Sequence, residues 1–230
     1  MLGRLVKASA IVIGVGLAVA ACSSPVKMGA AAIVGNQRIT IATLDTEVTN
    51  LSQAAARYPA TVSLTASQRT QATLTWLIRY QIFEEMARQA GITVSAGQGQ
   101  QALSQAVAAA VASAAQQGIT NATQTLILAA SGIPPNTSGE LGRYEAIASQ
   151  YLTIANGGTA PAAGSAAQTA AGNKLNTAEC QAAKALNIAV NPQFGQLDYN
   201  GYQVVTAPSP VTRTQGPVKA ASPVATAPAC

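Results

Sequence analysis

Few side chains in this 230-residue chain are equipped for covalent chemistry. It has thirteen basic residues, eight carboxylates, three cysteines and no histidine. The absence of histidine excludes Ser-His-Asp and Cys-His nucleophilic sites and any metal site built on imidazole. The three thiols are Cys22, Cys180 and Cys230. Cys22 closes the apolar run Leu17-Ala18-Val19-Ala20-Ala21. Cys180 and Cys230 form an even pair that an oxidising compartment can join. The opposing reading is two unpaired thiols, because ordering a terminal segment costs entropy. Three cysteines and no histidine leave no ligand set for structural zinc, and neither a metal nor a cofactor is expected.

The carboxylates are weaker candidates. Asp45 and Glu47 sit two positions apart near an expected helix start. A catalytic pair needs a pocket and shifted pKa values; favourable charge at a helix N-terminus explains both residues more simply. Glu84-Glu85 reads as the solvated edge of a long helix. Gly35 and Gly97-Gln98-Gly99 lack the Gly-rich spacing followed by Lys-Ser/Thr that cradles phosphate. Three Asn-X-Ser/Thr triplets, at Asn50, Asn121 and Asn136, read as coincidence. The chain is therefore expected to bind rather than catalyse.

Arg4 and Lys7 precede the apolar residues 8–21, and small residues lead directly into Cys22. This is the three-part layout of a secretory signal. The run is shorter than the roughly 20 residues of a membrane span. The segment ending at Ala20-Ala21-Cys22 resembles the bacterial lipobox. That resemblance implies cleavage before Cys22, diacylation of its sulfur and often acylation of the new N-terminus. The expected location is the extracytoplasmic face of the cell membrane, with the bilayer as one partner. Two or more acyl chains hold stably, since each buried methylene contributes about 0.8 kcal/mol. Removing Arg4 and Lys7 leaves eleven basic residues against eight acids, a net charge of +3. No basic cluster stands out, so nucleic acid is not an expected partner.

The elements that must position any site are mostly helical. Ala31-Ala32-Ile33-Val34, Gly35-Asn36 and Arg38-Ile39-Thr40-Ile41 read as two strands around a tight turn. A helix capped at Thr43 or Thr46 should run to about Arg57, ahead of Pro59. Thr65-Ala66-Ser67-Gln68 is a capping box. The helix it opens carries Leu74, Leu77, Ile78, Ile82 and Met86 on one stripe and Trp76, Tyr80, Phe83 and Ala87 on another, until Gly91 stops it. Trp76, Tyr80 and Phe83 are expected in the core. Ser95-Ala96-Gly97-Gln98 opens an Ala/Gln-rich helix to about Gln117. Residues 120–131 read as a short helix, and Thr137-Ser138-Gly139-Glu140 as a third capping box for a helix to about Ala155. Low complexity marks residues 156–172 as a linker. A short helix over residues 177–186 and strands at Ile188-Ala189-Val190 and residues 201–205 follow.

The order of these motifs resembles a known family. Ala31-Ala32-Ile33-Val34-Gly35-Asn36-Gln37-Arg38-Ile39-Thr40 leads to Leu44-Asp45-Thr46-Glu47-Val48. Then come Leu77-Ile78-Arg79-Tyr80-Gln81-Ile82-Phe83-Glu84-Glu85-Met86-Ala87, Gly91-Ile92-Thr93-Val94-Ser95 and Val190-Asn191-Pro192-Gln193-Phe194-Gly195. Together they are similar to the N-terminal domain of SurA- and PrsA-type envelope chaperones and foldases. The resemblance implies a mainly α domain in which the Ile33 and Val190 strands pair. It also implies capture of non-native secreted polypeptides on an apolar, groove-like helical surface. The chain departs from the family where a parvulin prolyl-isomerase module often sits. Residues 156–187 are too few for that module, and its histidines are missing. Residues 193–198 also lack the family's usual basic residue and Trp.

The expected organisation is a signal peptide (1–21), a tether (22–29), a helical domain (30–155), an Ala/Gly linker (156–173), a helix and strands completing the domain (174–205) and a disordered Pro/Ala/Thr tail (206–230). The expected activity is non-catalytic, chaperone-like binding of unfolded or secreted polypeptides. The alternative is an adaptor that holds one fixed envelope partner, and a prolyl isomerase ranks below both. Leu126, Tyr144 and Tyr151 are the candidate client surface, where helices meet loops.

Overall fold

The computed structural model describes residues 29–207. The signal, Cys22, the tether up to residue 28, Cys230 and the tail beyond Ala207 lie outside the described residues. The fold is mainly α, with short antiparallel strands near both ends of the described chain.

Strands β1 (Ala30–Val34) and β2 (Gln37–Thr40) form a hairpin around Gly35-Asn36, where Gly35 takes φ +58°. Strand β3 (Ala189–Val190) joins the other edge of β1, pairing Ala32 with Val190 and Ile33 with Ala189. Asn191 secures the join: its backbone N donates to Ala31 O at 2.9 Å and its Nδ2 to Ala30 O at 3.0 Å. The Ile33 and Val190 strands thus pair as expected. Ala30, Ala31, Ala32 and Val34 are completely buried, since β1 is the central strand and its small side chains let helices close over it.

Helix α1 (Ile41–Ala56) begins directly after β2. Its cap is Thr40, whose Oγ1 accepts from Thr43 N at 3.0 Å, and not Thr43 or Thr46. Thr46 instead bonds back to Ala42 O from inside the helix. Helix α2 (Ala66–Ala90) has the full capping box at Thr65 and Gln68, and an αL cap at Gly91 with φ +65°. At about 1.5 Å per residue, its 25 residues form the longest element among the described residues. Leu74, Ile78, Ile82, Phe83 and Met86 fill the main core with Val34, Leu44 and Ile147.

Helix α3 (Ala96–Gln116) carries the second capping box, at Ser95 and Gln98. Helix α4 (Gln124–Ala130) is shorter than expected because Thr123, not the Thr120 region, caps it. Helix α5 (Ser138–Ala155) follows a 3-10 turn at Pro135–Thr137 and has no side-chain cap. The third capping box is therefore a correction: Thr137 is buried, and its Oγ1 bonds to Pro134 O and Tyr80 OH.

Helix α6 (Ala166–Ala185) is the largest departure from expectation. Eight of the residues read as linker, 166–173, are its first two turns. Ser165 caps it, accepting from Gln168 N at 3.1 Å. Alanine is the best helix former, and Ala171, Ala182 and Ala183 are buried where α6 packs on α2 and α5. Strands β4 (Gln196–Asp198) and β5 (Gln203–Val205) form a second hairpin, of which only the β5 half is legible in the sequence.

Candidate functional site

Gln68, Gln71, Ala72, Thr75, Trp76 and Arg79 recur every three or four residues, so they share one face of α2. This face looks toward β5. Between them lies a groove of about 560 Å³, completed by Leu64, Ser131 and residues 203–206. Val204 binds the strand to the helix, donating from its backbone N to Thr75 Oγ1 at 2.8 Å. Gln71 Nε2 donates to Thr206 Oγ1 at 3.0 Å, closing one rim. Trp76 Nε1 reaches Ser131 O at 3.4 Å.

Arg79 is the groove's only ionised side chain. Its guanidinium lies 5.0 Å from the Trp76 ring centre and 5.5 Å from that of Tyr144, a double cation–π contact. It donates from Nη2 to Tyr144 OH at 2.9 Å and lies 3.8 Å from Glu179 Oε1. Arg79 Nε is buried with no hydrogen-bond partner. Burial pushes the Tyr144 hydroxyl up to about 12, against the pull of Arg79. Burial also raises the carboxyls of Glu179 and Glu145, and Arg79 offsets this in part. The lining thus offers amides, hydroxyls, an indole face and a guanidinium balanced by the buried Glu179 and the half-buried Glu145. That set suits noncovalent recognition of a neutral, amide-rich chain.

The raised carboxyls give a signed pH dependence. A folded-state pKa above the unfolded value makes the ionised form costly in the fold. The cost is fully present above the folded pKa and disappears as pH falls toward the unfolded value. Compared with Glu145→Gln, the wild-type chain should therefore gain stability between pH 7 and about 4.5. Urea midpoints of both proteins across that range check this; parallel curves would contradict it.

The candidate client residues fare differently. Leu126 is only 5% exposed and packs with Leu51, Ala54, Ala55, Val62 and Ala129, so it is not part of a surface. The amphipathic spacing of α4 placed it at the interface with α1, which sequence alone did not reveal. Tyr144 is half-buried against Trp76, Tyr80 and Phe83, with its ring centre 4.0 Å from that of Phe83. Tyr151 is half-buried against the main core. Neither lines the groove. Tyr80 and Phe83 are core, as expected, but Trp76 is partly exposed and lines the groove.

The acidic pairs also resolve. Because α1 starts at Ile41, Asp45 and Glu47 fall beyond its first turn and do not serve its N-terminus. Glu84 keeps 40% side-chain exposure at the edge of α2 and from there takes a two-pronged pair from Arg143, with Nη2 to Oε2 at 2.9 Å, which ties α5 to α2. Arg143 Nη1 also holds Val94 O at 3.0 Å. Glu85 pairs with Arg88. Cys180 is disulfide-bonded, and its partner cysteine lies outside the described residues. Among the described residues no cluster of His, Cys, Asp and Glu could hold a metal ion. Among them, too, no helix is long and apolar enough to cross a membrane.

Sequence reading missed the Arg79–Glu179–Glu145 cluster. Arg79 left a signal, being the only charge between Arg69 and Glu84 in an otherwise uncharged stretch. Glu179 left none, because its burial depends on how α6 packs. No family model, curated protein or solved structure matches the chain.

Proposed function

We propose that this protein is a lipid-anchored envelope protein that binds segments of non-native or secreted polypeptide without covalent chemistry. The groove between α2 and β5 carries the reading. It combines an indole face, paired glutamines and the edge of a short strand, which suits main-chain hydrogen bonding with side chains resting on an aromatic. The lipobox-like end at Cys22 supports tethering near the membrane, and the motif order similar to SurA-type domains supports polypeptide as the ligand.

Aggregation suppression tests the reading. Purified protein should delay light scattering of several unrelated denatured clients, and Trp76→Ala should abolish most of the delay while leaving the helical circular dichroism intact. No delay with any client would overturn general capture. Pull-down from detergent-solubilised membranes, comparing native protein with Cys22→Ser, separates the adaptor alternative. Many substoichiometric secreted proteins support a chaperone-like binder, whereas one or two stoichiometric partners support an adaptor.

A further inference from the structure

We infer that Asn200, in the turn between β4 and β5, is a site of covalent self-modification. Its side chain cyclises onto the backbone nitrogen of Gly201, loses ammonia and takes up water to leave aspartate or isoaspartate. The inference is independent of what the groove binds.

The chain has two Asn-Gly pairs, Asn156-Gly157 and Asn200-Gly201. In both, glycine places no Cβ beside the attacking nitrogen, so local sequence makes them alike and the fold sets them apart. Asn156 closes α5, half-buried, and its Nδ2 donates to Thr159 O at 2.8 Å. Gly157 N donates to Ile154 O at 3.0 Å. Leaving group and nucleophile are both held there, and both bonds must break before the two can meet. Asn200 is exposed, in the turn spanning residues 199–202. Its own backbone N donates to Asp198 Oδ1 at 2.9 Å, which fixes the turn on that side. Among the described residues nothing hydrogen-bonds the Asn200 side chain or Gly201 N. The reacting groups are therefore adjacent, solvated and uncommitted, which favours their encounter.

The step needs only water. Gly201 N bonds to Asn200 Cγ, the Cγ–Nδ2 bond breaks, and ammonia leaves with the proton from Gly201 N. Water then opens the five-membered imide. Attack at Cγ gives aspartate, and attack at the backbone carbonyl carbon gives isoaspartate, whose main chain runs through the side-chain carbon. Either product sets a new carboxylate two residues from Asp198, and isoaspartate also lengthens the main chain by a methylene. Both changes fall in the hairpin whose β5 strand is tied to Thr75 and forms one wall of the groove.

Incubation of the folded, full-length chain at mildly alkaline pH, followed by peptide mass spectrometry, tests this. Trypsin cuts after Arg143, Lys174, Lys184 and Arg213, so Asn156 and Asn200 fall on separate peptides. Amide should be exchanged for acid at Asn200, and part of the product should accept methyl from an isoaspartyl methyltransferase. In the folded chain Asn200 should react several-fold faster than Asn156. In urea, where the Thr159 and Ile154 bonds are lost, the two rates should converge. Gly201→Ala should slow the Asn200 reaction several-fold. A Cβ there meets only the Gln203 side chain, 3.4 Å away, so the hairpin can still form. Equal rates in the folded chain, or no reaction at Asn200, would overturn the inference. A rate difference that survives unchanged in urea would overturn its assignment to the turn. If Gly201→Ala failed to fold, the two asparagines compared within the wild-type chain would still decide.

Discussion

Phe83→Ala should be the most damaging single truncation in the described chain. Phe83 is 1% exposed and lies at the centre of the main core. Its ring packs on Tyr144 from α5, so the side chain joins the central helix to its neighbour. Removing a buried aromatic costs about 3–5 kcal/mol, through lost transfer energy and the cavity left behind. Domains of this kind have roughly 5–15 kcal/mol in total. For a chain of this size the expected fall in Tm is about 6–20 °C. The cavity cannot readily collapse, because Tyr144 is held on its far side by Arg79. Thermal melts followed by circular dichroism check this, with Trp76→Ala as a reference because that side chain is partly exposed and should cost less. A Phe83→Ala melt within 2 °C of wild type would show that the residue is not central.

The second large effect comes from a pair of chemically identical changes with opposite signs. Helices α3 and α5 approach closely at Gly99 and Gly142. A Cβ on Gly142 would stand 2.5 Å from Gly99 O and 3.2 Å from Leu103 Cβ. The nearest obstacle is backbone, so the helices must separate to admit it. Overpacking of this kind costs about 1–3 kcal/mol, and Gly142→Ala should destabilise despite its better helix propensity. Gly97, two residues before Gly99 on α3, meets nothing within 4 Å. There only propensity acts, and Gly97→Ala should stabilise by up to about 1 kcal/mol. Chemical denaturation of the two variants decides the matter. If both moved the midpoint in the same direction, the close approach of α3 and α5 would not be as described.

Much of the fold was legible for local reasons. The boxes at Thr65–Gln68 and Ser95–Gln98 mark helix starts, because the hydroxyl and the amide satisfy donors within four residues of each other. The turn at Gly35 is equally local. Misreadings arose where a second use of a residue overrode the local one. Thr137 has the spacing of a cap, but its hydroxyl serves Tyr80 and Pro134. Residues 166–173 have the composition of a linker, and become helix because α2 and α5 offer a surface on which small side chains can be buried. The Ser165–Gln168 spacing was present in the sequence but was hidden by its Ala-rich setting.

The candidate site divides along the same line. The inventory is legible without any tertiary contact: no imidazole, three thiols, one indole on a strongly apolar helix, and separate strand candidates around Ile33 and Val190. Side-chain chemistry and short-range spacing carry that information, and neither needs a partner element. Packing between elements settles that Leu126 is core, that Trp76 is half in the core and half in a groove, and that Arg79 faces Glu179 from α6, 100 residues away. Burial is a property of pairs of elements, so a helix's own sequence does not state which of its apolar faces will be covered. The groove lies where α2 and β5 run beside each other, joined by the Val204–Thr75 bond and backed by the β4–β5 hairpin.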